Sequence, residues 1–488
     1  MPRETDPAAS VVAPSRFAVS ATASIDLARA VALSVRHAGG RALVVGGWPR
    51  DQLLGREAKD LDLEVYGLDA DRLRALLSEH GPVNTVGEQF TVFKVGGLDV
   101  ALPRRESKVG RGHRAFAVAG DPHLPVEEAA RRRDFTINAI AWDPLTGEYI
   151  DPFDGRADLA AGRLRMVDPS TFADDSLRVL RAVQFAARFE LTLDDATEAL
   201  CRTIDLSDLP AERIWGELEK LLLGSARPAA GLTLALRLGV IGQLLPEVGA
   251  LVGCEQEPDW HPEGDVWTHT LLVVDEARRR IDDLSRPERV AIMLAAVTHD
   301  LGKPATTIRS EGRIRSPGHE AAGVAPATAV LDRLNIHTLE GYDVRRKVLG
   351  LVAYHLTPGM WHKAPQPVGD GAFRRLAAKV DLELLARLAE ADCRGRTGSF
   401  DCSAMPWFLA RARALGVEHR PPAPLLQGRH LLPLGVPPGP GMGRVLKAVY
   451  DAQLEGDIST LDEALAVARR HLDAPGQSDR AIDLGEER

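Results

Sequence analysis

The chain has 488 residues, more than the ~100–200 residues of one domain, so we expect three or four units. Hydrophobic residues make up 45% and charged residues 26%, an ordinary composition that excludes global disorder and fibrous repeats. The formal net charge is −9, so contacts to RNA or phosphate must come from local basic clusters rather than from an overall cationic field.

The cysteines and the apolar segments favour a cytoplasmic protein. Cys201, Cys254, Cys393 and Cys402 show no CxxC spacing, so we expect neither a disulfide framework nor a thiolate zinc site. No apolar run approaches the ~20 residues of a membrane helix. The first residues contain acids and a proline, unlike a signal peptide. We therefore expect a reducing, cytoplasmic location and no membrane partner.

The composition and hydrophobic pattern of the sequence change several times along the chain. Short β-branched stretches alternate with helical patterns from Ala42 to about Val100, as in a small α/β domain. A helical pattern follows from Asp174, and a Pro- and Trp-rich joint spans 255–267. These changes predict a disordered tail (1–24), an α+β head (25–165), a helical neck and body (166–254), a second helical domain (255–412), and a linker with a helical tail and a disordered C-terminus (413–488).

The segment VVGGWPRDQLLGREAKDLDLEVYG combines a glycine turn with paired acids. Gly46 and Gly47 follow an apolar strand and permit a tight turn whose amides face a phosphate, with Arg50 close behind. Asp60 and Asp62 are two apart in a predicted strand, so their carboxylates share one face and favour a divalent cation such as Mg²⁺.

A third carboxylate is expected from a neighbouring strand, and Asp99 in GGLDVALPRR is the best candidate. Two-metal sites of this kind perform in-line phosphoryl transfer. A lone glycine pair or a lone DxD is more often an ordinary turn or a solvated strand edge. Their order and distance here favour the catalytic interpretation.

Two other clusters near this segment carry charge. Asp175 and Arg178 are three apart on a helix predicted to start at Asp174, and they offer an acceptor and donors to the edges of cytosine and adenine. An ordinary surface salt bridge is the alternative. The stretch 104–114 holds five basic residues and predicts a mobile loop for phosphate or primer contact, with a merely solvated loop as its alternative.

Together these motifs resemble the nucleotidyltransferase superfamily of DNA polymerase beta, in its bacterial tRNA nucleotidyltransferase (CCA-adding) and poly(A) polymerase branch, class II. Further matches are RRRDFTINAIAWDPLTGEYIDPFDGRADL to the second motif, DDSLRVLRAVQFAARF to the nucleotide-selecting helix and ERIWGELEKLL to the next motif. The resemblance covers about residues 40–225. The chain departs from the family at Trp48-Pro49, where a small or aliphatic pair is commoner, and at Asp174, where Glu is usual.

The resemblance implies that Asp60 and Asp62 hold catalytic Mg²⁺. The implied nucleotide-binding residues are Gly46, Gly47, Arg50, Arg133, Asn138, Asp175, Arg178 and Arg181. Among them, Gly47 and Arg50 would contact the triphosphate. Arg133 would meet the nucleotide and Asn138 its sugar. The Asp175–Arg178 pair would select CTP and ATP without a template.

A set of histidines and acids in the second half of the chain predicts a metal site. Its members are His269, His299, Asp300, His319, His355 and Asp392. Imidazole and carboxylate ligands together suit Mn²⁺, Ni²⁺, Co²⁺ or Fe²⁺ better than Ca²⁺. One such histidine alone would more often be a satisfied core residue, but the whole set favours coordination.

This set resembles the HD phosphohydrolase superfamily over about 262–400. His269, His299, Asp300 and Asp392 match its core ligands, and His319 and His355 match the histidines of members that keep hydrolase activity. The implied chemistry is hydrolysis of a phosphate ester, such as a 2′,3′-cyclic phosphate or a 2′-phosphate at an RNA end. Lys303, directly after the HD pair, would contact the substrate phosphate.

The expected protein is α+β and multidomain, with a polymerase-beta-like head, an all-α neck and body, an α-helical HD domain and a helical tail. Its expected function is template-independent addition of CCA to tRNA 3′ ends from CTP and ATP. An A-adding or CC-adding enzyme and a poly(A) polymerase share the motifs and stay open. An HD hydrolase whose head only binds nucleotides, or a non-catalytic RNA-binding protein, leaves the paired acids unexplained. The sequence does not indicate an oligomeric state.

Overall fold

The computed structural model describes residues 21–58, 60–86, 92–108 and 116–473, and it divides into two compact units. The head unit extends to Ala186 and adds Glu190–Leu209, whereas the helical unit comprises Ala187–Phe189 and the chain from Pro210. The head unit is mixed α/β and the helical unit is almost wholly helical, so the predicted α+β class is confirmed. The finer division into five segments stays a prediction.

The head unit contains eleven of the described strands and a 3₁₀ turn at Thr136–Asn138. Its strands are β1 (Arg41–Val45), β2 (Asp62–Tyr66), β3 (Asn84–Val86), β4 (Val92–Val95), β5 (Leu98–Ala101), β6 (Arg104–Lys108), β7 (Phe116–Gly120), β8 (Ala141–Trp142), β9 (Tyr149–Ile150), β10 (Arg163–Leu164) and β11 (Thr192–Leu193). Its helices are α1 (Ala21–His37), α2 (Gly47–Leu53), α3 (Ala70–Ser78), α4 (Val126–Arg131), α5 (Gly155–Ala160), α6 (Pro169–Phe172), α7 (Leu177–Phe189, whose last turn belongs to the helical unit) and α8 (Asp195–Cys201).

Seven strands form one mixed sheet in the order β3-β4-β5-β2-β1-β8-β9. The β2–β5 pair is parallel and the other pairs are antiparallel. Alternate residues of β1 face opposite sides, so Ala42 and Val44 pack with the α1 and α3 side chains, whereas Leu43 and Val45 pack with Ala129 of α4. Both faces of β1 are therefore buried against helices.

Several local expectations for the head unit are corrected. The paired acids do not lie together inside a strand, because β2 begins at Asp62 and Asp60 precedes it. The segment 104–108 is a strand, β6, that pairs with β7, rather than part of a mobile loop. The remainder of that loop, 109–115, lies outside the described residues, as do 1–20 and 474–488 of the predicted tails. Helix α1 begins at Ala21, inside the predicted N-terminal tail.

The helical unit holds the other helices, two short hairpins and a 3₁₀ turn at Leu432–Leu434. Its helices are α9 (Ala211–Gly224), α10 (Pro228–Arg237), α11 (Val240–Leu244), α12 (Pro246–Gly249), α13 (Val266–Arg278), α14 (Arg286–Thr298), α15 (Lys303–Thr306), α16 (His319–Ala322), α17 (Val324–Arg333), α18 (Val344–Tyr354), α19 (Thr357–His362), α20 (Asp370–Ala377), α21 (Leu382–Arg394), α22 (Ala404–Ala414), α23 (Gly428–Leu431), α24 (Pro440–Glu455) and α25 (Leu461–Asp473). Its strands are β12 (Ile308–Ser310), β13 (Arg313–Arg315), β14 (Thr338–Leu339) and β15 (Tyr342–Asp343).

Helix α14 is the central element of this unit. Its residues from Val290 to Thr298 are all buried, and it packs against α9, α13, α18 and α21. A helix that is apolar all round must be covered on every side. The residues that follow its end are therefore also buried.

One disulfide joins Cys393 and Cys402, against the expectation from cysteine spacing. Helix α21 ends at Arg394 and the chain turns back into α22, which brings residues nine apart to a Cα–Cα distance of 5.9 Å. Cys201 and Cys254 carry free thiols. Among the described residues, no helix is both long and apolar enough to cross a membrane.

Candidate active sites

The glycine turn of the head unit lies directly against the paired acids. Gly46 has a φ of +80°, which favours glycine, and a Cβ there would lie 2.9 Å from Asp62 Oδ2. Val45, the residue before it, is the register partner of Asp62 on β2. The turn and the carboxylate therefore occupy adjoining space, and a side chain at Gly46 would displace the carboxylate.

Three carboxylates meet at one end of the β2–β5 pair. Asp62 and Asp99 are register partners on parallel strands, and the exposed Asp60 lies just before β2, where its charge acts on Asp62. Burial raises the pKa of Asp62, and the charge of Asp99 raises it further. Lys94 donates to both carboxylate oxygens of Asp99, at 2.6 and 2.7 Å. Crowded carboxylates of this kind fit a divalent cation, which relieves their repulsion.

Arg50 lies beneath the glycine turn instead of extending into solvent. It is 6% exposed, and its guanidinium donates to Asp51 Oδ1 at 2.7 and 2.8 Å and to Asn138 Oδ1 at 2.6 Å. Its Nη2 lies 3.2 Å from the position of a Cβ at Gly47. Burial lowers the pKa of Arg50, and the charge of Asp51 partly opposes the shift. Arg50 thus fixes the back of the turn through Asn138.

Asp134 connects this cluster to helix α7 and was not identified from the sequence. Its Oδ1 accepts from Asn138 Nδ2 at 2.9 Å, and its Oδ2 accepts from Arg181 Nε at 2.6 Å. The guanidinium carbons of Arg50 and Arg181 lie 5.2 and 5.0 Å from the ring centroid of Phe185. Burial raises the pKa of Asp134, but the charge of Arg181 and the hydrogen bonds outweigh it, so the pKa is lowered.

Arg133 lies beside Glu64, a second residue that sequence reasoning missed. Arg132 donates to Glu64 Oε1 at 3.0 Å, the nearest nitrogen of Arg133 is 3.8 Å from Oε2, and the Tyr66 hydroxyl donates to Oε2 at 2.8 Å. Burial raises the pKa of Glu64, but the charges of Arg133 and Arg132 outweigh burial and lower it. Glu64 was detectable as the next acid on the Asp62 face of β2.

The Asp175–Arg178 pair does not share a helix face, because α7 begins at Leu177. Asp175 Oδ1 accepts from the Leu177 N–H at 3.2 Å, and the Arg178 N–H donates to the Asp175 carbonyl at 3.0 Å. An aspartate whose side chain accepts from neighbouring backbone amides is more favourable just before a helix than in the helix interior. The Arg178 guanidinium donates to the Arg132 carbonyl at 2.6 Å and to the Thr171 carbonyl at 3.0 Å. Arg178 thus connects α7 to the Arg131–Arg133 segment.

In the helical unit, all six predicted metal ligands lie in one buried cluster, each at most 6% exposed. Their positions are His269 on α13, His299 and Asp300 directly after α14, His319 at the start of α16, His355 directly after α18, and Asp392 on α21. Two side-chain triads of the cluster, His269–His299–Asp300 and Asp300–His319–His355, have ligand atoms within 4.8 Å of one another.

Backbone carbonyls fix the tautomers of three of these histidines. The Nδ1 atoms of His299, His319 and His355 lie 2.9, 2.8 and 2.8 Å from the carbonyl oxygens three residues upstream. A carbonyl only accepts, so each Nδ1 carries the hydrogen and each Nε2 keeps a lone pair when the ring is neutral. This arrangement is typical of metal-binding imidazoles, whose second nitrogen is held by the protein.

The free imidazole nitrogens converge on Asp300. His299 Nε2 lies 3.2 Å from Asp300 Oδ2, and the described residues donate no hydrogen bond to this buried nitrogen. His319 Nε2 lies 3.3 Å from both Asp300 Oδ1 and His355 Nε2. Burial and the neighbouring His299 charge lower the pKa of His355 to about 3, so its ring is neutral. Burial lowers the pKa of His299 and His319, but Asp300 outweighs burial and raises both, so positive charge is favoured beside this carboxylate. A divalent cation held by the Nε2 atoms and Asp300 would supply that charge.

Glu263 is a further member of this site that sequence reasoning missed. Its Oε1 lies 2.8 Å from Nδ1 of both His261 and His269, and the opposite nitrogen of His269 lies 3.0 Å from Asp392 Oδ1. A carboxylate behind a metal-binding imidazole orients the ring and raises its basicity. The spacing H-P-E-G-D-V-W-T-H around His269 contained this signal.

A cleft of about 190 Å³ opens onto the cluster. Asp300, His319, His355 and Asp392 line it together with Lys303 and Arg396. Lys303 Nζ lies 2.7 Å from Asp300 Oδ2 and donates to Gln256 at 2.6 Å. The cleft therefore places two cations beside a buried ligand cluster, which suits an anionic substrate.

Comparisons with known proteins agree with this architecture. The poly A polymerase head domain family matches residues 42–165, and the family described as the probable RNA and SrmB-binding site of polymerase A matches residues 191–251. The fold resembles that of the CCA-adding enzyme of Bacillus stearothermophilus in complex with CTP, with a TM-score of 0.62 and 22% identity over 93% of this chain and 98% of that chain. It also resembles the Thermotoga maritima enzyme complexed with tRNA, with a TM-score of 0.55 and 21% identity over 94% and 97% of the two chains.

A curated relative carries the family assignment. The multifunctional CCA protein of Xanthomonas campestris pv. campestris is 39% identical over 372 residues, which span 73% of this chain and 85% of that protein. That similarity extends beyond the head to most of the chain. The chain therefore belongs to the family of the multifunctional CCA proteins.

Proposed function

We propose that this chain is a template-independent nucleotidyltransferase that adds CCA to tRNA 3′ ends, or repairs them, using CTP and ATP. The alignment of Asp62 with Asp99 on parallel strands, against the Gly46 turn, carries the proposal. The name of its curated relative and the fold it shares with CCA-adding enzymes support it. A cytoplasmic location, among its tRNA substrates, is part of the proposal.

The three carboxylates are the proposed ligands of Mg²⁺. Bound there, divalent ions would supply the Lewis acidity that activates the primer hydroxyl and neutralises charge on the leaving pyrophosphate. Asp60 and Asp62 would hold the ions beside the primer hydroxyl. Asp99 would join them as the third carboxylate ligand once Lys94 no longer donates to it. Gly46 and Gly47 keep the approach to these carboxylates free of side chains.

The remaining head residues position the nucleotide. Arg133 faces the same side of the sheet and offers a guanidinium to phosphate or sugar. Asp175 and Arg178 are the proposed readers of the base edges of CTP and ATP, from the turn that begins α7. Arg50 and Asn138 act from behind, since their mutual hydrogen bond holds the turn.

A primer-extension experiment tests this function. tRNA that ends before CCA, tRNA-C and tRNA-CC are incubated with CTP, ATP or both and Mg²⁺, and products are resolved at single-nucleotide length. We expect ordered addition of C, C and A, abolished in Asp62→Asn and kept in Asp71→Asn, an exposed aspartate on α3. A stop after CC, addition of A alone, or long A tails on unrelated RNA would replace the proposal with a CC-adding enzyme, an A-adding enzyme or a poly(A) polymerase.

We also propose that the helical unit is a divalent-metal phosphohydrolase of the HD type. The observation that favours it is the convergence of the His299 and His319 Nε2 atoms on Asp300. Mn²⁺, Ni²⁺ or Co²⁺ fits the mixed imidazole and carboxylate set, and when bound would supply a Lewis acid to the phosphate and to water. Lys303 and Arg396 hold the phosphate in the cleft.

The proposed substrate is a 2′,3′-cyclic phosphate or a 2′-phosphate at an RNA end. The oxygen of water forms a bond to phosphorus, the bond from phosphorus to the ester oxygen breaks, and the proton of water ends on the released alcohol. His355→Ala should abolish hydrolysis in Mn²⁺, Ni²⁺ or Co²⁺, whereas His337→Ala, an exposed histidine of the same unit, should not. Equal activity of both variants would contradict the assignment of the cluster.

A further inference from the structure

Trp260 is a large side chain left exposed at the cleft of the helical unit. It is 47% exposed, and its ring lines the cleft together with Lys303, Arg396 and the apolar Ile314. Tryptophan is enriched at binding surfaces, because its large ring supplies contact area and its N–H a polar handle. The ligand cluster and the two cations explain how the cleft treats a phosphate, but they do not explain the ring.

The ring is presented by a well-fixed segment. The backbone N–H groups of Trp260 and His261 donate to the Glu257 carbonyl at 3.0 and 2.9 Å, and Glu257 Oε2 accepts from the Ile314 N–H at 2.9 Å. Gln256 bridges the segment to Lys303, whose ammonium donates to it at 2.6 Å. The hydrogen bonds that hold the tryptophan thus also hold the phosphate-facing lysine. Such a preorganised ring binds a ligand with little loss of entropy.

The surroundings of the ring indicate what it contacts. Lys363 Nζ lies 5.4 Å from the centroid of Trp260, so the ring already accepts a cation on its face. Aromatic rings flanked by cations stack nucleobases, because every base offers a π face and its phosphate meets the positive charge. An apolar peptide would instead meet the charged side chains of Lys303, Arg396 and Asp300 in the same cleft.

We propose that Trp260 determines the specificity of the cleft by stacking the base attached to the phosphate that is hydrolysed. The proposal rests on the hydrolase function proposed above and names its substrate class as nucleoside phosphate esters. The base lies on Trp260, the phosphate lies between Lys303 and Arg396, and the reacting bond faces Asp300. Phosphate esters without a base lose only the first of these contacts.

Kinetics on two matched substrates test the inference. Adenosine 2′-phosphate and glycerol 2-phosphate are both monoesters of secondary alcohols, and only the first carries a base. We expect Trp260→Ala to raise KM for adenosine 2′-phosphate by about tenfold with kcat little changed, and to leave glycerol 2-phosphate unaffected. Trp260→Phe should restore KM. Trp407→Ala removes another partly exposed tryptophan of the same unit and should change neither substrate.

A second measurement does not depend on turnover. The chain has seven tryptophans, and labelling with 5-fluorotryptophan gives each a ¹⁹F resonance, of which Trp260→Phe removes and so assigns one. Adenosine 2′-phosphate should shift this resonance in the wild type without added metal, and glycerol 2-phosphate should not.

The two measurements separate the possible failures. If the wild type hydrolyses neither ester with any metal, the hydrolase proposal fails, and the ¹⁹F shift alone still decides base stacking. If hydrolysis occurs and Trp260→Ala raises KM equally for both esters, or for neither, the specificity role is overturned. An unshifted Trp260 resonance at saturating nucleotide overturns it as well.

Discussion

Replacement of Asp134 by asparagine perturbs the connection between the glycine turn and helix α7. The carboxylate is 7% exposed, and it accepts from the Phe135 N–H at 2.8 Å, from Asn138 at 2.9 Å and from Arg181 at 2.6 Å. The first two donors share Oδ1, which asparagine retains. The third donor, Arg181, meets Oδ2. If asparagine keeps its oxygen at the Oδ1 position, its NH₂ group replaces Oδ2, and two donors then face each other.

The structure sets the size of the effect. A hydrogen bond to a charged partner contributes about 1.5–3 kcal/mol, so Asp134→Asn should lower the free energy of unfolding by about 2–3 kcal/mol. Arg181 would lose its acceptor, and with it the connection from α7 to the Asn138–Arg50 pair. Since a misplacement of about 1 Å can reduce a rate by about 10²-fold, we expect incorporation of both CTP and ATP to fall by that order.

The same variant has a predicted pH dependence. Burial raises the pKa of Asp134, but Arg181 and the hydrogen bonds lower it below its ordinary value. A carboxylate whose pKa is lowered by folding stabilises the fold fully above its unfolded pKa of about 3.9. This contribution is lost as pH falls through the folded pKa. The stability difference between wild type and Asp134→Asn should therefore be constant near neutral pH and shrink below about pH 4.

Urea unfolding and single-nucleotide extension assays measure the two effects. Asp143→Asn is the matched control, because Asp143 is a buried aspartate of the same unit whose carboxylate accepts from Arg41 at 3.0 Å, a residue of β1 rather than of the glycine turn or α7. It should lose stability and keep incorporation when assayed under folded conditions. Wild-type incorporation by folded Asp134→Asn, or an equal loss in Asp143→Asn, would refute the positioning argument.

Three further variants address the turn, the metal cluster and the disulfide. Gly46→Ala should lower nucleotide incorporation by about 10²-fold because its methyl group meets Asp62, whereas Gly253→Ala, also at positive φ but with open space, should change only stability. Mn²⁺ at 100 times its dissociation constant should stabilise the wild type by about 2.7 kcal/mol in thermal unfolding, and His299→Ala should abolish the shift. Cys402→Ser should lower unfolding free energy by about 2–3 kcal/mol, and reduced wild type should match it; an unchanged midpoint would contradict this.

The sequence predicted the features that depend on short-range periodicity. Asp62 and Asp99 are register partners because each stands in a short apolar strand, whereas Asp60 lies just before β2 rather than inside it. The six residues predicted as metal ligands are also all buried, and their side chains lie together in the helical unit. Their roles stay predictions until variants are measured.

The sequence did not predict the features that depend on contacts between distant residues. Arg50 was expected to reach a phosphate, but Asn138, 88 residues later, holds it in the interior. Asp175 was placed inside a helix because its pattern continues that of α7, and the local capping bond to Leu177 decided otherwise. Cys393 and Cys402 meet only because α22 turns back along α21, which spacing alone does not reveal.

The parallel pairing of β2 with β5 has a consequence for how the head acquires its site. Parallel neighbours cannot be joined by a tight hairpin, and here helix α3 and the β3–β4 hairpin lie between the two strands in the chain. Contacts of such high sequence separation form late, after the local hairpins and helices. Asp62 and Asp99 therefore become neighbours only when the sheet is complete, and a nascent or partly folded head cannot concentrate divalent cations there. The affinity of the head for a divalent ion therefore reports whether the pairing of β2 with β5 has formed.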